Sequence, residues 1–261
     1  MNFPIRKWVS LFILFSASMS FISCEKDYRV LKIEELHKRA ESGDAKAQAW
    51  LGLKYSIGSG VERDEVESAR WFRKAADNGD ISAQLAMAAR YVEGVGVEKN
   101  EAEAVKWYIK AAEQGDAEAQ WWLGMSYEFG RGAIKNLPEA VSWYRKSAEQ
   151  GHSGGQMALA DCYARGTGGV VKNDEEAAKW YSKAAEQGSA VAQIALSSCY
   201  ANGLGVIKND TLAYKWMLLA VANGGSTAKE KISIIEARLT PEHPRTACRG
   251  SAFGHRVAGG F

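Results

Sequence analysis

The feature that most constrains this chain is a recurrence. The stretch Asn100 to Gly132, NEAEAVKWYIKAAEQGDAEAQWWLGMSYEFGRG, largely returns when the sequence is shifted by 36 residues in either direction. Trp71, Trp107, Trp143, Trp180 and Trp216 occupy one repeat position, and Gly43, Gly79, Gly115, Gly151, Gly188 and Gly224 another. Gln48, Gln84, Gln120, Gln156 and Gln193 mark a third, and Tyr55, Tyr91, Tyr127, Tyr163 and Tyr200 a fourth. One step is 37 residues, where Gly168-Gly169 adds a position. Four residue types held in register over this many periods require a repeat array.

Each period encodes two helices. Gly115 ends one helix and Asp116 can cap the next, whose small or apolar positions Ala119, Leu123, Gly124 and Tyr127 recur at helical spacing. Gly130 and Gly132 break that helix, and Asn136 begins another with Glu139 three residues on. The same spacing in Asp64/Glu67, Asn100/Glu103 and Asn173/Glu176 predicts four reciprocal capping boxes, with Leu212 in the acid's place after Asn209. Ala104, Trp107, Tyr108, Ala111 and Ala112 line the second helix. A buried Trp covers about 150–250 Å², an upper bound of roughly 4–6 kcal/mol. A lone helix pair cannot cover it, so each unit needs its neighbours.

The pattern A-x-x-W-Y-x-K-A-A-E-x-G-x-x-x-A-Q-x-x-L-G-x-x-Y-x-x-G-x-G-V resembles the Sel-one-like repeat, a relative of the tetratricopeptide repeat, over about residues 31–239. The resemblance implies an all-α, right-handed superhelical solenoid of antiparallel helix pairs that binds other proteins. Within it, Val30 to Arg39 reads as an incomplete leading unit and about Asp44 to Asn223 as five full pairs. A last helix, about Ser226 to Arg238, turns Ile232, Ile235 and Leu239 inward as a cap. The repeats point to one elongated array in place of the one or two globular domains that 261 residues would otherwise suggest.

Residues 1–23 read as a targeting segment: Arg6 and Lys7 precede an apolar core too short to span a membrane comfortably. Phe21-Ile22-Ser23-Cys24 resembles a bacterial lipoprotein signal, which implies lipid on Cys24. Phe21 stands where such signals usually carry Leu, and an ordinary secretory signal with an incidental cysteine is the competing reading. Glu25 rather than Asp follows, so outer-membrane anchoring in the periplasm is expected, with residues 24–30 as a spacer. Residues 240–261 lose helical periodicity around Pro241 and Pro244 and carry no acid after Glu242; they are expected to be disordered. Without the first 23 residues, 31 basic residues face 31 acidic ones, a balance that does not favour nucleic acid.

No catalytic set is visible. Cys162 and Cys199 hold equivalent places in successive units, and neighbouring helices about 8–10 Å apart exceed the roughly 7 Å that a disulfide tolerates. Two separate thiols are expected; Cys248 lies in the tail. His37, His152, His243 and His255 form no pair at metal spacing, and Gly94-Val95-Gly96 and its relatives are helix connections rather than phosphate loops. Some secreted relatives are linked to penicillin binding or hydrolysis, yet Ser142 and Lys146 have the wrong spacing for a Ser-x-x-Lys nucleophile. Neither metal nor cofactor is implied.

One surface stands out. With the Ala-Gln, Leu and Tyr positions facing the core, helical geometry turns Glu118, Trp121, Trp122, Met125 and Phe129 the other way. The aligned positions include Trp50, Leu53 and Ile57, then Leu85 and Glu93, then Met157, Asp161 and Arg165. First helices line the concave side of such arrays, so Trp50, Leu53, Trp121, Trp122, Met125, Phe129 and Met157 are the candidate partner-binding residues; burial between units is the competing reading. The five repeat-position tryptophans, by contrast, are expected to pack. The leading expectation is therefore a non-enzymatic, lipid-anchored periplasmic protein that holds a protein or peptide and touches the membrane only through its anchor. Lipid-anchored relatives that act as immunity proteins against type VI secretion toxins, lipases among them, give that expectation a concrete form. An envelope scaffold is one alternative, and a cell-wall or β-lactam hydrolase another.

Overall fold

A computed structural model gives the fold and describes Tyr28 and residues 31–236. The targeting segment, Cys24, the spacer apart from Tyr28, and the tail with Cys248 lie outside the described residues. Residues 31–236 form α1 (Ile33–Glu41), α2 (Ala45–Ile57), α3 (Glu65–Asp77), α4 (Ile81–Glu93), α5 (Glu101–Glu113) and α6 (Ala117–Phe129), followed by six more. These are α7 (Leu137–Glu149), α8 (Ser153–Arg165), α9 (Asp174–Glu186), α10 (Ala190–Asn202), α11 (Asp210–Ala222) and α12 (Ser226–Glu236). No strand occurs among the described residues. By internal contacts the chain divides into two compact units, Met1–Lys146 and Ser147–Phe261, with the boundary inside α7.

Capping explains the uniform helices. Asp44, Asp80 and Asp116 each accept from backbone N–H groups in the first turn of α2, α4 and α6. In the second unit His152, through Nδ1, and Ser189 do the same for α8 and α10. The second helices start as the sequence predicts at one end of the cap only. Asp64, Asn100, Asn136, Asn173 and Asn209 accept from the N–H three residues on. The reciprocal half of the expected capping boxes is replaced. The cap's own N–H donates instead to the carbonyl of the repeat-position tyrosine: Asp64 to Tyr55 at 3.0 Å, Asn100 to Tyr91 at 2.8 Å and Asn136 to Tyr127 at 2.9 Å in the first unit. Asn173 to Tyr163 and Asn209 to Tyr200 repeat this in the second. The acids are thereby freed for Arg70, Lys106, Trp143 and Lys179. Leu212 costs α11 little for the same reason.

The buried glutamines join one repeat to the next. In the first unit Gln48 donates through Nε2 to the Ala40 carbonyl at 2.9 Å, and its Oε1 accepts from Asn78 Nδ2 at 2.9 Å. Gln84 likewise donates to Ala76 at 3.1 Å and accepts from Gln114 at 2.8 Å. In the second unit Gln156 bonds Ala148 and Gln187, and Gln193 bonds Ala185 and Asn223. Each carboxamide therefore ties the end of the preceding helix to the end of the second helix in its own repeat.

Apolar packing fills the space between these bonds. Leu51, Met87 and Leu123 are wholly buried at one repeat position, as are Leu159 and, nearly, Leu196 in the second unit. Trp71 and Trp107 are buried, whereas Trp143, Trp180 and Trp216 are half-buried against their clusters. Four of the five carry a lysine ammonium over the ring, Lys74, Lys110, Lys146 and Lys183, at 3.8–3.9 Å. Gly124 is needed because Tyr144, fully buried, lies on it: an added Cβ would come within 2.5 Å of the ring. Gly132 combines φ +69 with a backbone approach, since a Cβ there would meet the Glu101 carbonyl oxygen at 2.1 Å.

Two substitutions test this account. Gln84→Leu removes the side-chain link between the Ala76 carbonyl and Gln114, both of which keep a backbone partner, and is expected to lower stability by about 0.5–1.5 kcal/mol in urea unfolding. Gly124→Ala should cost about 1–3 kcal/mol, with near-ultraviolet circular dichroism reporting a displaced Tyr144.

Candidate partner-binding site

In the first unit, α2, α4 and α6 present the candidate face. Ala119, Gln120, Leu123 and Gly124 of α6 are buried, so the positions between them turn outward. Trp121 and Trp122 meet at 4.5 Å between ring centroids with planes tilted by 48°. Trp122 also stacks on Tyr108 of α5 at 6.0 Å and 13°, and its Nε1 donates to Glu118 at 3.4 Å. Met125 and Trp121 are half-buried; Phe129 is 53% exposed, with the Arg131 guanidinium 5.4 Å from its ring.

Not every predicted residue stands equally free. Trp122 and Leu53 are half-buried because their inner edges rest on the cluster that contains Phe72, Met87, Tyr108 and Leu123. Trp50 rests on Leu36, Leu51 and Trp71. Met157 belongs to the second unit and packs against Tyr181 and Leu196. The structure thus gathers Trp121, Trp122, Met125 and Phe129 on one helix, places Trp50 and Leu53 on another, and leaves Met157 in a separate unit. Tyr108, Glu93 and Arg131 belong to the same neighbourhood as α6. The 36-residue register alone does not single them out as neighbours of Trp122.

The Sel1 repeat family profile matches residues 45–80, 81–116, 117–152, 153–189 and 190–225. The chain belongs to the Sel1 repeat family. A Sel1 repeat protein from Oxalobacter formigenes is 33% identical, with 88% of this chain and 91% of that one covered at a TM-score of 0.75. The protective antigen c5321 of uropathogenic Escherichia coli, which displays an SLR fold, is 38% identical at the same TM-score. That match covers 78% of this chain and 44% of the antigen, so this chain spans less than half of its length. A more distant likeness is to the immunity protein Pa5087 of Pseudomonas aeruginosa, 21% identical over 80% of this chain and 84% of that one, with a TM-score of 0.48. No curated protein matches the chain.

The match and the helix pairs establish a Sel1, tetratricopeptide-like α-solenoid, a fold that generally mediates protein–protein interaction. Among the described residues no group of His, Cys, Asp and Glu could hold a metal ion. Cys162 and Cys199 are separate buried thiols, and burial pushes Cys199 up to about 11, which keeps it protonated and unreactive near neutrality.

Arg90 is a buried charge that the repeat pattern does not predict. Its guanidinium donates to Glu65 at 3.0 Å, to Ser68 Oγ at 2.6 Å and to the Val95 carbonyl, and lies over the Phe72 ring. Ser68 Oγ donates onward to the Gly52 carbonyl at 2.6 Å. Such full pairing makes this a structural network rather than a reactive one. Burial would raise the Glu65 carboxyl, but hydrogen bonds from Arg63 and Arg90 more than offset it and hold it below its ordinary value of 4.5. Its stabilising contribution is therefore complete above about pH 4.5 and disappears as the pH falls through the lower folded value. Glu65→Gln should flatten that part of the acid limb when unfolding midpoints are compared from neutral pH downward.

Proposed function

We propose that this chain is a lipid-anchored periplasmic binding protein of a bacterium, held to the outer membrane through Cys24. Its first-helix face grips a protein toxin that acts in the periplasm, and by occupying the toxin it confers immunity. A lipase delivered by type VI secretion is the form of toxin considered first. The observation that carries the binding role is the paired indole platform of Trp121 and Trp122, built on α6 and left partly open to solvent. Large aromatic side chains that keep an open face are the residues that most often dominate interface energetics. The Sel1 fold supports a binding role in general terms, and the lipoprotein-like Cys24 supports the compartment.

The test is co-expression in the periplasm with a toxin encoded beside this protein's gene. Rescue from killing is expected for the native chain and should be lost for Trp122→Ala with helicity retained by circular dichroism. Killing that proceeds unchanged beside the native chain would exclude immunity, while envelope capture of another protein through the same indoles would preserve the binding role alone.

A further inference from the structure

The connection between α6 and α7 departs from its counterparts in charge. Arg63, Lys99, Lys135, Lys172 and Lys208 share one position in the five connections, and two residues on stand Glu65, Glu101, Leu137, Asp174 and Asp210. Arg63 pairs with Glu65 at 2.7 Å, Lys172 with Asp174 at 3.5 Å and Lys208 with Asp210 at 3.9 Å. Leu137 offers Lys135 no such partner. From Phe129 to Pro138 the chain holds Arg131 and Lys135 and no acid, whereas each of the other four connections carries at least one. The acids that bracket this stretch are engaged within the chain. Glu128 accepts from the Tyr144 hydroxyl at 2.6 Å, and Glu139 from the Trp143 indole at 2.9 Å. The Glu101 carbonyl of α5 lies against Gly132, yet neither Arg131 nor Lys135 has an ion-pair partner among the described residues.

The same connection carries an apolar tip. Ile134 is 91% exposed, and Glu62 and Glu98 occupy its place in the two repeats before it. Val171 and Ile207 repeat the tip in the second unit, at 85% and 90%, but there the lysines are paired. The backbone holds the α6–α7 tip in shape: the Arg131 N–H donates to the Ser126 carbonyl at 3.0 Å and the Asn136 N–H to that of Tyr127 at 2.9 Å. Lys135 Cβ lies 3.4 Å from where a side chain on Gly130 would begin, which returns it to the residue between Phe129 and Arg131. A protruding isoleucine and a half-open phenylalanine therefore share one loop with two exposed cations. An acidic protein would need an apolar pocket cut to fit this tip. A lipid surface needs no matched shape: its headgroup boundary takes in apolar side chains, and anionic headgroups attract the cations beside them.

We propose that Phe129, Arg131, Ile134 and Lys135 form a tip that docks on an anionic phospholipid surface. Ile134 enters the apolar boundary with the Phe129 ring beside it, and Arg131 and Lys135 meet the phosphates. The anchor proposed on Cys24 brings the chain to such a surface, and the loop adds a second contact where the sequence alone suggested only one. The tip does not depend on which protein the Trp121–Trp122 platform binds.

The test is amide hydrogen exchange of the full chain with vesicles of phosphatidylcholine alone, or of phosphatidylcholine and phosphatidylglycerol in equal parts. An anchor holds the chain to either vesicle, so the reading is taken at the loop itself. The Ile134 and Lys135 amides are expected to exchange about tenfold more slowly on the anionic vesicles than on the neutral ones. Arg131→Gln/Lys135→Gln should abolish that difference with helicity unchanged. Ile134→Glu should do the same, and it places at the tip the residue that the first two full repeats already carry there. Exchange unaltered by vesicles, equal slowing on both kinds, or slowing that survives in both variants would overturn the tip. Protection of the loop by a captured envelope protein, with none from vesicles, would overturn it in favour of a protein contact. Neither variant touches Trp121 or Trp122, so rescue from a toxin is scored separately and the two readings fail independently.

Discussion

Everything else in this chain depends on a buried glutamine carboxamide that is satisfied on both sides. A carboxamide sealed from water with an unmet donor or acceptor would cost more than the bond is worth, so its neighbours must arrive at fixed places. The Ala40, Ala76 and Ala112 carbonyls are such places in the first unit, and Ala148 and Ala185 in the second. Hydrophobic burial brings helices together without specifying how far one slides along another. The carboxamides supply that specification, and the alanines around them allow the helices to come close enough to use it.

Much of this was legible in the linear chain, and the reasons for what was not are specific. Periodicity located the helix pairs, and Asp116, Asn100 and their equivalents located the starts, because both are local properties of the backbone. The second bond of each cap was not legible. Its acceptor is the carbonyl of Tyr55, Tyr91 or Tyr127, on a different helix, and only folding brings that carbonyl to the cap in place of the side chain of Glu67, Glu103 or Glu139. Gln48 and Gln84 were visible as markers but not as links, since their partners Asn78 and Gln114 lie 30 residues away. Arg90 was missed because the repeat holds no fixed residue type there, with Lys54, Ser126, Cys162 and Cys199 at the equivalent places, and its partners Glu65 and Ser68 come from α3.

The candidate face was legible to a similar degree. Helical geometry identified Trp121, Trp122, Met125 and Phe129 as one surface, and the structure gathers them on α6. It did not reveal that Leu53, Trp50 and Met157 rest their inner edges on hydrophobic clusters, nor that Tyr108 stacks under Trp122. Sequence spacing describes the direction of a side chain from its own helix. How much of that side chain a neighbouring helix covers depends on crossing distances that spacing does not encode.

The extra residue beside Gly168 shows where the architecture tolerates change. Gly169 adopts φ +84 with nothing within 4 Å of where a side chain would begin, while α8 and α9 on either side keep the same thirteen-residue length as their counterparts. Evolution can therefore lengthen such a hinge one amino acid at a time without disturbing the bolted framework, which makes these turns the natural places to graft a new epitope, tag or reporter.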